Sequence, residues 1–487
     1  MARYLALDLG TTAIKCAVFD DEGRRVAFAR VPYDLRYPRE NWVECAPQTY
    51  LDAIEKAVAA CRGNDVAAVA LSSQANTLLC IDSDGQPLRD AIVWTDFRAR
   101  EEAATLKHQI GEERFSAATG APDLSGALFP CKIMWLRRHE PQTLSATRRF
   151  LDIKQWVMAQ LGGPATADPS LRGIEGLGKI DSGALWSPIL EAAGIAPEQL
   201  APLGATQEPG AHVSAAWAEK IGCTRGTPII NGCLDQVAAG VGAGCVEPGT
   251  AALNFGGVLA FFAAVKAGSV KPGTSYLTGP HAQPGCWYVL PYLPAAGLAI
   301  EWLIRTFGAG RSVEALAAEA ERVPAGCDGL LALPHLTGLP HRGGERIRGG
   351  FIGLANHHTP AHLYRALIES FAFSTLGWIN ELERAGLRID QLRALGGGTR
   401  SALWLKIVAD ATGLPVELPR EPEASCLGAA MLAAWGTGRW PDLPSVGKAW
   451  IKIERVVEPD RSVHEVYQEA FERHRAFSAF SEGIANR

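Results

Sequence analysis

Two stretches of this chain share one layout, and that repetition narrows the folds open to it more than any other feature. The first runs as an apolar segment, Arg3-Tyr4-Leu5-Ala6-Leu7-Asp8-Leu9, then Gly10-Thr11-Thr12, then a returning apolar segment from Ala13 to Asp20. Close to the midpoint of the 487 residues, Ala251 to Phe255 leads to Gly256-Gly257 and returns as Val258 to Phe262. Each reads as two strands joined by a tight turn. A glycine at the tip lets backbone approach a ligand closely, and the N–H groups and hydroxyls beside it are donors for phosphate oxygens. Asp8 stands where a metal-bound water could be held beside such phosphates. Taken alone, the first hairpin is as well explained as a plain turn that Asp8 and Thr11 satisfy. Two of them, each opening one half of the chain, suggest a duplicated fold that clasps a nucleotide in a cleft between lobes.

The length suggests two or three domains, each able to bury an apolar interior. A net charge of −5 with scattered Lys and Arg leaves no electrostatic footprint for nucleic acid or an anionic membrane. Eleven cysteines without any Cys-x-x-Cys spacing argue against a disulfide framework or a thiolate zinc site, and point to a reducing cytoplasm. Residues 248–265 form a long uncharged run, but Pro248, Gly249, Asn254, Gly256 and Gly257 interrupt it. Two buried strands around a turn fit it better than a membrane helix of roughly 20 apolar residues. The opening residues lack the layout of a signal peptide.

Along the chain, strands are expected at 26–31, 66–71, 77–81, 91–94 and 226–232, and helices at 47–60 and around 133–138. Strands alternating with helices make an α/β protein, in which ligands collect at the carboxyl ends of strands. Gln74-Ala75-Asn76 and Asp96-Phe97-Arg98 fall at such ends, where turn formation and helix capping explain them as readily as ligand binding. Residues 162–188 read as loop with short structure only. Asp235 heads a small-residue helix; it is either the N-cap or, aimed into a cleft, a general base. A strand at 392–395 meets Gly396-Gly397-Gly398-Thr399-Arg400, and a helix follows from Ser401. That is a glycine-rich anion site at a helix start, without the Gly-Lys-Ser/Thr of a Walker loop. A late helix opening at Ala424-Ser425-Cys426-Leu427-Gly428 suits close backbone approach, and packing alone explains it more simply than a flat base.

These pieces, in this order, resemble the FGGY family of carbohydrate kinases, which shares the fold of actin, hexokinase and Hsp70. The points of likeness are Asp8 to Thr12, Gln74, Trp94 to Arg98 and Lys132 to Leu136. They continue with Asp235-Gln236, Gly349 to Leu354 ahead of Ala366 to Glu369, Gly396 to Thr399, and Leu427 to Ala430. Each motif is weak alone; the ordered set is specific. The resemblance implies two ribonuclease H-like domains with an interdomain cleft, residues 1–245 holding sugar and catalytic base and residues 246–487 holding nucleotide. It implies ATP and Mg²⁺, a cytoplasmic enzyme, and a family in which homodimers occur.

By the same resemblance Asp235 takes the proton from the sugar hydroxyl, and Asp8 with Asp235 holds the hydrated metal. Gly10, Thr11, Thr12 and Lys15 face the phosphates, while Gly256, Gly257, Gly396, Gly397, Gly398, Thr399 and Gly428 frame the nucleotide. Gln74, Ala75, Asn76, Asp96, Asp235 and Gln236 bind the sugar. The likeness is greatest to the xylulokinase-type branch, so D-xylulose is the expected substrate. Ribulose, erythritol, a hexulose, a 6-deoxyhexulose, or binding without turnover are the alternatives. Three departures bear on this. Gly256-Gly257 stands where the family has Gly-Thr, the segment 334–341 lacks an expected Glu-Arg, and Ala75-Asn76 replaces the Met-His frequent in xylulokinases.

Overall fold

The computed structural model describes residues 2–63, 66–272, 276–340 and 346–485. The chain divides into two compact units, each α/β. The first comprises Met1–Glu247, Ala264–Val289 and Glu423–Ile451; the second comprises Pro248–Ala263, Leu290–Pro422 and Lys452–Arg487.

In the first unit six strands form one sheet, in the order Arg25–Pro32, Ala13–Asp20, Arg3–Leu9, Val66–Ser73, Pro228–Leu234 and Pro209–His212. The first three are antiparallel neighbours; Arg3–Leu9, Val66–Ser73 and Pro228–Leu234 then run parallel, and Pro209–His212 closes the edge antiparallel. Leu5, Ala6, Leu7, Val69, Ala70 and Leu71 are all completely buried, which is why the central strands read as unbroken apolar runs. The helix expected at 47–60 spans Pro47–Ala60 and buries Tyr50, Ala53, Ile54, Ala57 and Val58, the stripe that helical spacing sets on one face.

In the second unit Thr250–Phe255 pairs antiparallel with residues 259–263, the part of the strand Leu259–Lys266 that belongs to this unit, and runs parallel to Gln391–Leu395. Val416–Pro419 follows in parallel and Ile453–Val457 closes the edge antiparallel. A hairpin, then parallel strands, then an antiparallel edge is the order of the first unit repeated. The two hairpins that the sequence marks therefore occupy equivalent places in two sheets.

Several elements differ from expectation. The strand expected at 91–94 is only Ala91–Ile92; Val93 N–H still bonds the Val43 carbonyl in the same register, and its own carbonyl then accepts the Asp96 N–H as the chain turns. The strand at 66–71 continues through Ser73, so Ser72 belongs to the sheet. Within 162–188 a short helix, Pro169–Ile174, is capped by Asp168. The helix expected from Ser401 spans Ala402–Thr412 with Ser401 as its cap, and a 3₁₀ turn, Gly397–Arg400, separates it from the strand. Of the unusual segment 334–341, Pro334 to Pro340 is turn and short strand, whereas His341 lies outside the described residues.

Candidate active site

Asp8 ends a buried strand in register with Lys15 across the hairpin and with Ser72 on its parallel neighbour. One carboxylate oxygen accepts the Ser72 hydroxyl at 2.9 Å and the other accepts the Ser425 hydroxyl at 2.7 Å. Lys15 Nζ lies 3.6 Å from Asp8 and 3.0 Å from Glu423, and these two anions hold its pKa above the ordinary value against the opposing effect of burial. At the turn, Gly10 and Thr11 keep partial exposure and Thr12 is exposed. The Thr11 hydroxyl accepts the Trp94 indole N–H at 2.8 Å, and the Gly10 carbonyl accepts the Tyr33 hydroxyl. The turn is thus fixed through carbonyl and hydroxyl oxygens.

Ser72 also sits opposite Cys233, so the strands carrying Asp8 and leading to Asp235 flank one common strand and end on the same side of the sheet. Asp235 opens the helix Asp235–Gly242 but does not cap it: Leu234 is the N-cap residue, and no side chain fills that role. Among the described residues the half-buried carboxylate accepts only the N–H of Gln236, at 2.7 Å. Of the two readings of this residue, capping is therefore not realised. Burial, with the negative charge of Asp8 adding to it, pushes the Asp235 pKa up to about 7; the Gln236 N–H and Lys15 oppose the rise. Such a carboxylate is matched to taking a proton near neutral pH.

Gln74 and Asn76 leave the carboxyl end of the middle strand, and both are buried. Among the described residues Gln74 Oε1 and Asn76 Oδ1 have no hydrogen-bond partner, which is costly unless a donor arrives from a ligand. Asn76 Nδ2 donates to the Ile174 carbonyl at 3.1 Å, and its backbone is left-handed, with φ of 58°. Lys132 holds that conformation. Its completely buried ammonium donates to the carbonyls of Asn76 at 2.6 Å and Val93 at 3.0 Å. Ala75 is buried between them, and Gln236 is half-buried beside the base.

Asp96 is placed differently from expectation. It is completely buried; Oδ2 accepts the Val43 N–H at 2.6 Å and Arg98 Nη2 at 2.7 Å, and Oδ1 accepts the Arg98 N–H at 2.9 Å. The Arg98 guanidinium lies 3.9 Å from the ring centre of Trp42. Asp96 is therefore an anchor for Arg98 and the 93–98 turn, with its oxygens already engaged. Gly428 lies in a helix contact. It is buried where the helix Ala424–Gly436 crosses the Asp235 helix, and a Cβ there would stand 1.9 Å from the Ala238 carbonyl oxygen. The close helix contact accounts for a glycine at this position.

In the second unit, Gly256 is partly exposed and Gly257 exposed, and Gly257 accepts the Gly297 N–H at 3.1 Å. Gly396 and Gly398 pack against Asn254 and Phe255 of the hairpin, while Gly397 is open. Thr399 turns its hydroxyl back to the Gly396 carbonyl at 2.7 Å. This loop leaves backbone exposed at 396 and 397 beside an equally exposed hairpin tip.

One position at the site escapes sequence reasoning: Ser72 is one residue among many at a strand end, legible only through its register with Asp8. Lys132 belongs to a segment the family resemblance marks, but its contacts to the Asn76 and Val93 carbonyls are visible only in the structure. Among the described residues no group of three Cys, His, Asp or Glu side chains forms a metal cage. The pair Asp8 and Asp235 fits a divalent cation held through its water shell, which needs only one or two carboxylates.

An actin-type α/β phosphotransferase is the class that this sheet order and this pair of carboxylates define. The chain belongs to the FGGY family of carbohydrate kinases: its N-terminal domain model matches residues 3–242 and its C-terminal domain model residues 261–437. The chain is 27% identical over 479 residues to a xylulose kinase of Staphylococcus epidermidis, covering 96% of this chain and 94% of that one. It is 28% identical over 519 residues to an autoinducer-2 kinase of Klebsiella pneumoniae, covering 100% and 95%. The crystal structure of xylulose kinase from Rhodospirillum rubrum superposes with a TM-score of 0.92 at 28% identity, covering all of both chains. The enzyme is thus a sugar kinase with ATP as the phosphoryl donor of its family, and no helix among the described residues is long and apolar enough to cross a membrane.

Proposed function

We propose that this chain phosphorylates a ketopentose, D-xylulose, at the expense of ATP, with Asp235 as general base. The observation that carries the reading is the placement of Asp8 and Asp235 at the carboxyl ends of strands flanking one common strand, with Asp235 left uncapped and Asp8 pinned by two hydroxyls. The names of the relatives supply the sugar.

In the reaction, a sugar hydroxyl oxygen forms a bond to the γ-phosphorus as the bond from that phosphorus to ADP breaks. The hydroxyl proton passes to the Asp235 carboxylate. Gln74 Oε1 and Asn76 Oδ1 accept hydrogen bonds from sugar hydroxyls, giving those buried oxygens the donors they lack. Ala75 and Gln236 complete the sugar pocket. Gly10, Thr11, Thr12 and Lys15 attend the phosphates. Residues 1–245 are assigned to sugar and base, and residues 246–487 to the nucleotide, which rests on the backbone of Gly256, Gly257, Gly396 and Gly397 with Gly398 and Thr399 shaping the loop. Asp8 and Asp235 hold hydrated Mg²⁺, which neutralises phosphate charge in phosphoryl transfer.

The test is an ADP-release assay with ATP and Mg²⁺ across D-xylulose, D-ribulose, erythritol, hexuloses and 6-deoxyhexuloses. The reading requires the highest kcat/KM for D-xylulose. A higher value for another sugar overturns the substrate but keeps the kinase, and release from none of them favours a binding protein.

A further inference from the structure

Beneath the segment that ends in Asp235 lies a buried polar network that touches no proposed substrate contact. The strand Pro228–Leu234 is irregular, with a register shift between Ile230 and Cys233. Such a bulge re-aims a strand end and weakens the ladder that would otherwise fix it. Side chains supply the missing restraint. Lys154 and Asp168, both completely buried, meet at 2.6 Å. Lys154 Nζ also donates to the Asn231 main-chain carbonyl at 2.9 Å and to its side-chain oxygen at 3.1 Å, within the bulge. The Asn231 amide is in turn tied to the Ala167 carbonyl at 3.1 Å.

The other end of the network reaches the residue before the base. Asp168 Oδ1 accepts the Ser170 hydroxyl, and that hydroxyl oxygen accepts the Leu234 N–H at 3.0 Å. Donation to Asp168 fixes the hydroxyl rotor, so its lone pair points at one peptide group. A buried ion pair is a poor source of stability, because desolvating two charges offsets most of their attraction. This one is instead placed to fix geometry at both sides of the bulge.

We propose that Ser170, oriented by Asp168 and Lys154, is a positioning residue that aims Asp235 at the acceptor hydroxyl. The assignment rests on Asp235 being the base. With Ser170→Ala the Leu234 N–H loses its partner, its peptide is free to rotate, and the carboxylate one residue along shifts. Misplacement by about 1 Å lowers a rate about 10²-fold without any loss of contact to the substrate.

The experiment measures kcat, sugar KM and melting temperature for Ser170→Ala and Ser170→Thr, each alone and combined with Asp235→Asn, using the best sugar of the panel. We expect Ser170→Ala to lower kcat by about 10- to 100-fold with KM within about threefold, and Ser170→Thr to recover most of the rate. In the Asp235→Asn background Ser170→Ala lowers kcat no further, because its effect passes through that carboxylate. An unchanged kcat in Ser170→Ala, or an equal further loss on top of Asp235→Asn, overturns the proposal and leaves the base assignment standing. Wild-type turnover in Asp235→Asn alone overturns the base assignment and this inference with it. Should Ser170→Ala fail to fold, Ser170→Cys, with its weaker acceptor, is read against the same outcomes.

Discussion

The Ser425 hydroxyl donates to Asp8 Oδ2 at 2.7 Å, joining residues 417 positions apart in the sequence. With Ser72 on the other oxygen, the Asp8 carboxylate is held from two directions and cannot swing. A carboxylate fixed in this way is preorganised for a hydrated cation, and its charge is one of the causes that lift Asp235.

Asp235→Asn is expected to fold with an unchanged melting temperature and sugar KM, and to lose about 10²- to 10⁴-fold in kcat. The base must be ionised to accept a proton. The wild-type rate therefore falls about tenfold per unit as pH drops below about 7 and levels off above it. A pH series of ADP release on both proteins checks this, and the acid limb should be missing from the variant.

Asn76→Ala removes an acceptor that no donor among the described residues pairs. Loss of one sugar hydrogen bond should raise KM by about 10-fold, in line with about 1.5 kcal/mol. Lys132→Met should raise KM as well, because it releases the left-handed backbone at Asn76. Isothermal titration with the sugar alone separates this binding loss from any change in turnover.

Gly428→Ala places a methyl 1.9 Å from the Ala238 oxygen and forces two helices apart. Destabilisation on the order of 1–3 kcal/mol is expected, with a fall in kcat because the displaced helix carries Asp235. Gly257→Ala meets nothing within 4 Å and should stay within about 0.5 kcal/mol of wild type. Urea denaturation of the two variants gives the contrast.

Asp152 and Glu175 are both buried, and burial pushes both carboxyl pKa values up, Asp152 to about 6 and Glu175 well above its ordinary range, where the neighbouring Asp152 charge adds to the rise. An unfolded Asp titrates at about 3.9. Below that value both states are protonated; as pH rises from about 4 to about 6 the unfolded chain ionises first, so the folded state loses stability. Asp152→Asn keeps the side-chain oxygen that accepts the Gln155 N–H and cannot ionise. Its melting temperature should fall less than that of wild type across this window, as calorimetry at stepped pH will show.

The strands, the hairpins and the helix at 47–60 were legible in the sequence because burial on both faces leaves unbroken apolar runs and burial on one face leaves a stripe. Asp8 and Asp235 were legible because each ends such a run. What spacing could not show was which polar groups are already occupied. Asp96 and Asn76 look alike as polar residues after strands, yet Arg98 and Val43 saturate the first while the second keeps an empty oxygen. Gly428 reads as a ligand contact or a packing contact until the neighbouring helix is known, and Ser72 acquires meaning only from a partner 64 residues away.

Because Glu423–Ile451 belongs to the first unit, the ribosome releases the partner of Asp8 only 417 residues after Asp8 itself. During synthesis the opening sheet must wait with its carboxylate half-anchored, and a protein cut at its midpoint would yield an N-terminal piece missing an internal helix. A chain terminated between residues 235 and 425 carries both acidic groups and still lacks the hydroxyl that locks the first of them in place.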